Sequence, residues 1–117
     1  MYIKIKEPYE QTIHIMKVHH ETEDCYVCEL KKDNSYLSVS KEWVLAKSEN
    51  LEELCDCFVT KGNKHIVWDK EQIPNLTFER LKESYPSWHF EIYGCIWTSK
   101  GLIYVAKMNE KGELCLL

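Results

Sequence analysis

Residues 90–97, in the order Phe-Glu-Ile-Tyr-Gly-Cys-Ile-Trp, constrain this chain most, because they are apolar on both sides of an extended strand. Phe90, Ile92 and Ile96 fall on one face, and Tyr93, Cys95 and Trp97 on the other. A strand of that kind sits centrally in a sheet and is covered on both sides. Residues 102–108 and 113–117 read as two further strands. The connections 98–101 and 109–112 each end in glycine, which suits a type I turn closed by a left-handed residue in a bulged hairpin. The C-terminal third is therefore expected to be a three-strand meander with the 90–108 hairpin at the heart of its sheet.

The N-terminal half predicts a second meander. Residues 2–6 alternate, Ile3 and Ile5 against Lys4 and Lys6, with the period-two pattern of a half-buried strand. Residues 12–19, 24–31 and 36–40 continue as strands, and 43–46 extend the last or begin a fifth. Asp33-Asn34-Ser35 forms a turn, since Asp and Asn bond their own backbone and tolerate left-handed geometry.

Two helices are expected between the meanders, with a short strand over 65–68 between them. Asn50 and Glu53 form a capping-box pattern, and Leu51, Leu54, Cys55 and Phe58 share one helical face. That stripe predicts a helix over 51–58 packed on the C-terminal hairpin. The second helix starts at Thr77, stapled by Leu76 and Leu81, and ends before Pro86. Strands and helices in blocks indicate an α+β fold, an antiparallel sheet packed with two short helices. At 117 residues the chain is expected to be a single domain, 1–117, with one core.

Composition narrows the function classes. Net charge is −4, and of 15 basic residues only Arg80 is an arginine, so nucleic acid is not an expected partner. The apolar runs are strand-length, which gives no reason to expect a membrane span. Residues 1–9 are charged and lack the apolar core of a signal peptide, which points to the cytoplasm. The six cysteines are then expected as reduced thiols behaving as small hydrophobes.

Cys25 and Cys28 have metal half-site spacing, and Cys55, Cys57, His14, His19 and His20 could add ligands. The geometry opposes it. Residues three apart on a strand face opposite sides, as do residues two apart on a helix. No metal or other cofactor is therefore expected. A zinc-stabilised fold stands as a further alternative. His19 and His20 lie beside Glu21 and Glu23, but neighbouring histidines on a strand point opposite ways, so a polar hairpin end is favoured over a general-base cluster. No phosphate loop, nucleophile elbow or metalloprotease motif is present, and no catalytic residue is assigned.

Four Trp and seven Tyr are a heavy aromatic load for so small a core. Trp43, Trp68 and Trp88 each lie at an element edge next to a charged or polar residue, namely Glu42, Asp69 and His89. Such residues serve as binding anchors, because they bring large area at low entropy cost. Their alternative role is to fill the rim of the core with the polar atom in water.

EIYGCIWTSKGLIYVAKMNEKGEL (residues 91–114) and SENLEELCDCFV (residues 48–59) resemble segments of short uncharacterised phage, prophage and mobile-element proteins of Gram-positive bacteria. The resemblance implies a bacterial cytoplasm and an accessory role, and names no site residue. The expected function is a small accessory or inhibitor protein that binds a host or phage protein. The alternative is a small enzyme or ligand-binding domain with a deep pocket lined by at least two of His14, His19, His65 and His89 and a carboxylate nearby. Residues 113–117 could form an open edge that pairs across a homodimer.

Overall fold

Two antiparallel sheets, each of five strands, carry the structure. The computed structural model describes residues 1–9, 12–30, 33–63, 65–69 and 82–117. They form two compact units, Met1–Leu54 and Cys55–Leu117. The antiparallel strands and short helices agree with the expected class; the expected sheet is resolved into two.

In the N-terminal unit β1 (Tyr2–Lys6), β2 (Ile13–Glu21), β3 (Cys25–Leu30) and β4 (Ser35–Ser40) run as a meander. A 3₁₀ turn, Lys41–Trp43, then returns β5 (Val44–Ser48) to the far side of β1. The order is β4-β3-β2-β1-β5. The turn forms because the Ser40 hydroxyl accepts the Glu42 N–H, satisfying a donor the short helix cannot. Asn34 takes the left-handed conformation expected between β3 and β4, at φ 53°. Ile3, Ile5, Tyr26, Cys28 and Val39 make the core, with Met16, Val18, Trp43 and Val44 packed around it.

The helix expected over 51–58 is a single turn, α1 (Leu51–Leu54), whose neighbours within its unit are β1 and β5. Leu51 and Leu54 are buried there. The capping residues act as a small network: the Ser48 hydroxyl accepts the Asn50 N–H and donates to Glu53 Oε2, and the Asn50 amide donates to Glu53 Oε1. Four residues cannot sustain a helix by propensity. Beyond Leu54 the β-favouring run Cys57-Phe58-Val59-Thr60 instead pairs as β6 (Cys57–Gly62), a strand absent from the sequence-based expectation.

The C-terminal unit continues with β7 (Ile66–Asp69), β8 (Phe90–Thr98), β9 (Gly101–Met108) and β10 (Leu114–Leu116), in the order β10-β9-β8-β6-β7. The β8–β9 hairpin is central, as its two-faced apolarity requires. The glycines that close the two hairpin turns, Gly101 and Gly112, have φ of 108° and 80°. Residues 82–84 are helical, before Pro86; Thr77, Phe78 and Leu81 lie outside the described residues. One face of the sheet buries Phe58, Ile92 and Met108 with Cys55, against Trp68, Tyr85, Phe90, Val105 and Leu114. The other buries Cys57, Val59 and Cys95 beneath Tyr93, Leu102 and Tyr104.

Candidate functional site

The second of these faces carries the most concentrated chemistry of the C-terminal unit. Along β8 the alternating residues Glu91, Tyr93, Cys95 and Trp97 point to it. Across the ladders Lys61 lies opposite Glu91, Lys107 opposite Tyr93, Tyr104 opposite Cys95, and Leu102 opposite Trp97. Tyr104 and Lys107 are three apart and would face opposite ways on a regular strand. A bulge between Gly94 and Cys95 leaves Val105 without a partner and brings both back to one face.

These side chains form a connected cluster. The rings of Tyr93 and Tyr104 stack with centroids 5.2 Å apart at 26°. Lys61 Nζ sits 4.4 Å from the Tyr104 centroid and 5.9 Å from that of Tyr93. Lys107 Nζ lies 5.8 Å from the Tyr93 ring and pairs with Glu91 Oε1 at 3.0 Å. The Tyr93 hydroxyl donates to Glu91 Oε2 at 2.6 Å. That hydrogen bond, together with Lys107, holds the Glu91 carboxyl below the usual carboxylate range. The same carboxylate pushes the Tyr93 phenol up, and it raises Lys107 as well. The result is two tyrosine planes held in fixed orientation and flanked by two ammonium groups.

Trp97 stands at the end of this face and is 55% exposed. Its backbone is fixed: the N–H donates to the Asp56 carboxylate at 2.8 Å, while the Asp56 N–H donates to the Cys95 carbonyl. The strand's two-faced apolarity predicts cover for Trp97, and the structure corrects this: the buried cluster on this face packs against Tyr93, Leu102 and Tyr104 and does not include Trp97. An exposed tryptophan on an anchored strand was thus missed by the sequence reading. No local signal marks it, since the Asp56 carboxylate that holds its backbone lies 41 residues away in the chain.

The three tryptophans singled out from the sequence are half-buried. Trp43 packs on the N-terminal core. Trp68 packs on the core of the other unit and donates its Nε1–H to Thr60 Oγ1 at 3.4 Å. Trp88 stacks on Tyr85 at 3.8 Å and 8°.

The histidines are exposed. His14 lies on β2, and His65 and His89 precede β7 and β8. His19 and His20 do not face opposite ways. A bulge leaves His19 unpaired between Val18 and His20, and their Nδ1 atoms come within 2.8 Å, with His19 also packed on Tyr36 at 4.6 Å. A shallow open groove of about 460 Å³ is lined by Lys61, Gly62, Lys82, His89, Phe90 and Glu91. It holds a single histidine, and its Lys82 ammonium already donates to the Trp88 carbonyl at 2.9 Å. Among the described residues no three His, Cys, Asp or Glu side chains converge as a metal site. Cys28 is buried while Cys25 is half-buried, on opposite sides of β3. Cys57 and Cys95 lie opposite each other across β6 and β8, both buried. Burial pushes the thiols of Cys28 and Cys95 up to about 11 and about 12, so both are protonated near neutrality.

No helix among the described residues is long and apolar enough to cross a membrane. Comparisons of the chain with protein-family models, curated proteins and solved structures give no match.

Proposed function

We propose that this is a small protein-binding module, an accessory or inhibitor of mobile-element type acting on a bacterial protein in the cytoplasm, and that it docks through the C-terminal sheet face bearing Trp97. The observation that carries the reading is the exposed Trp97, beside Leu102, on a strand whose backbone is pinned by Asp56. Large aromatics bring much contact area at low entropy cost, and a strand already pinned in place has less backbone freedom to lose on contact. Tyr93 and Tyr104 extend the same face, and Lys61 and Lys107 bias it toward a partner surface carrying carboxylates. Trp43, Trp68 and Trp88 serve mainly as core rim in this reading, since each has a protein surface or ring already packed against it.

The test is retention of proteins from a Gram-positive bacterial lysate on the immobilised wild type, Trp97→Ala and Tyr9→Ala proteins. Tyr9 is 96% exposed and serves as the control for a surface aromatic. A protein held by wild type and Tyr9→Ala but released by Trp97→Ala supports the reading. Equal retention on all three refutes it.

A further inference from the structure

We propose that the outer edge of β4 is a self-association surface, through which two copies of this chain pair β4 against β4 in antiparallel fashion. The proposal uses the N-terminal unit alone and is independent of the Trp97 face. Each of the two sheets ends in two edge strands: β4 and β5 in one, β7 and β10 in the other. Exposed edges invite pairing unless they are short, charged, bulged or covered. β10 has three residues. β7 has four and ends in the charged Asp69. β5 carries the exposed Lys47, and its pairing with β1 is broken by a bulge. Among the described residues, β4 alone lacks these devices. Ser35–Ser40 reads Ser-Tyr-Leu-Ser-Val-Ser, without charge or proline, and its register with β3 is unbroken over six residues.

The side chains of β4 point to the same use. Leu37 lies opposite the buried Cys28, on the core face, yet it is 40% exposed. Tyr36, on the other face, is 56% exposed. Leu37 on one face, and Tyr36 on the other with only His19 against its ring, mark a strand that extends past its own core. A two-fold axis through Leu37 places Leu37 against its copy and Tyr36 against Ser38 of the second copy. It also brings the Asp33 end of each strand beside the Lys41 end of the other, where Lys41, 3.4 Å from Glu21 of its own chain, meets a second carboxylate. A second copy therefore pairs the edge of β4, covers the exposed leucine and sets unlike charges together at both ends. One strand pair buries less than the roughly 1,200 Å² of a stable interface, so the association is weak and concentration-dependent.

Two experiments test this. Sedimentation of the wild type up to about 1 mM should show a dimer growing with concentration, with Leu37→Lys raising the dissociation constant about tenfold or more. Asp33→Lys should weaken the dimer, and adding Lys41→Asp should restore it. The second experiment uses a Cys115→Ser background, because Cys115 is exposed. There, Leu37→Cys should oxidise to a covalent dimer in the presence of oxidised glutathione. The two thiols lose two protons and two electrons to the glutathione disulfide. Ser35→Cys should not cross-link, since its copy lies four residues along the strand, about 13 Å away. A protein that stays monomeric across the range, a dimer that Leu37→Lys leaves unchanged, or faster cross-linking at position 35 than at 37 would overturn the proposal.

Discussion

Replacing Gly94 by alanine probes side-chain packing against the centre of the C-terminal sheet. A Cβ on Gly94 would lie 2.7 Å from Cys55 Sγ, 3.1 Å from Leu114 Cδ2 and 3.5 Å from Ala106 Cβ. Real side chains do not approach to 2.7 Å, and Cys55 is itself only 2% exposed, so its sulfur has little room to turn away. Overpacking of this kind costs about 1–3 kcal/mol. Alanine returns about 0.5–1 kcal/mol through reduced freedom of the unfolded backbone. The net expectation is a loss of about 1–2 kcal/mol. With a urea slope of about 1–2 kcal/mol/M, the unfolding midpoint should fall by about 1 M. Cys55→Ala alone leaves a small void and costs about 1 kcal/mol. In the double variant the new methyl group enters that void, so the combined loss should be smaller than the sum by about 1 kcal/mol. Urea melts followed by circular dichroism on the four proteins measure this cycle. A Gly94→Ala protein as stable as wild type, or strict additivity, would refute the packing argument.

Trp97→Ala should leave the urea midpoint within about 0.5 kcal/mol of wild type, because an exposed residue loses little on truncation. Trp68→Ala should cost about 2–3 kcal/mol, less than a fully buried tryptophan, since the side chain is half-buried and hydrogen-bonded to Thr60. Leu54→Ala should cost about 2–5 kcal/mol, through lost packing in the N-terminal unit. Glu91 has a depressed pKa in the folded state, so its contribution is present above the ordinary carboxylate range and is lost as pH falls through the folded value. Stability measured from about pH 5 downward should therefore drop less steeply in Glu91→Gln than in wild type. Under native conditions a maleimide should modify the exposed Cys115 first, while Cys28 and Cys95 react only after unfolding; mass spectrometry over time reads the order.

The hairpins were legible because their signals are local. Gly101 and Gly112 stand where a turn needs positive φ, and Ile3 and Ile5 alternate with lysines over a half-buried strand. β6 was not legible for the opposite reason. Leu51, Leu54, Cys55 and Phe58 fit a helical stripe, yet Cys57, Phe58, Val59 and Thr60 are all buried in a strand covered on both faces. An apolar run of that length fits either period, and only the long-range ladder to β8 decides between them. The two bulges were equally hidden. One brings His19 and His20 together, and the other sets Tyr104 and Lys107 on one face. Each adds one residue to a ladder, which reverses every facing argument beyond it. The exposure of Trp97 depends on its lying outside the buried cluster of its sheet face, a property of tertiary packing that no run of neighbouring residues encodes.

Whether the Trp97 face meets a protein partner is decided by a photo-cross-linking amino acid placed at position 102, across the ladder from Trp97, and, separately, at the exposed control position Tyr9. Both proteins are expressed in Gram-positive bacterial cells and irradiated. One discrete cross-linked partner is expected from position 102 that is absent from position 9, and that is lost when Trp97→Ala is added. The same diffuse pattern from both positions would contradict a partner at this face.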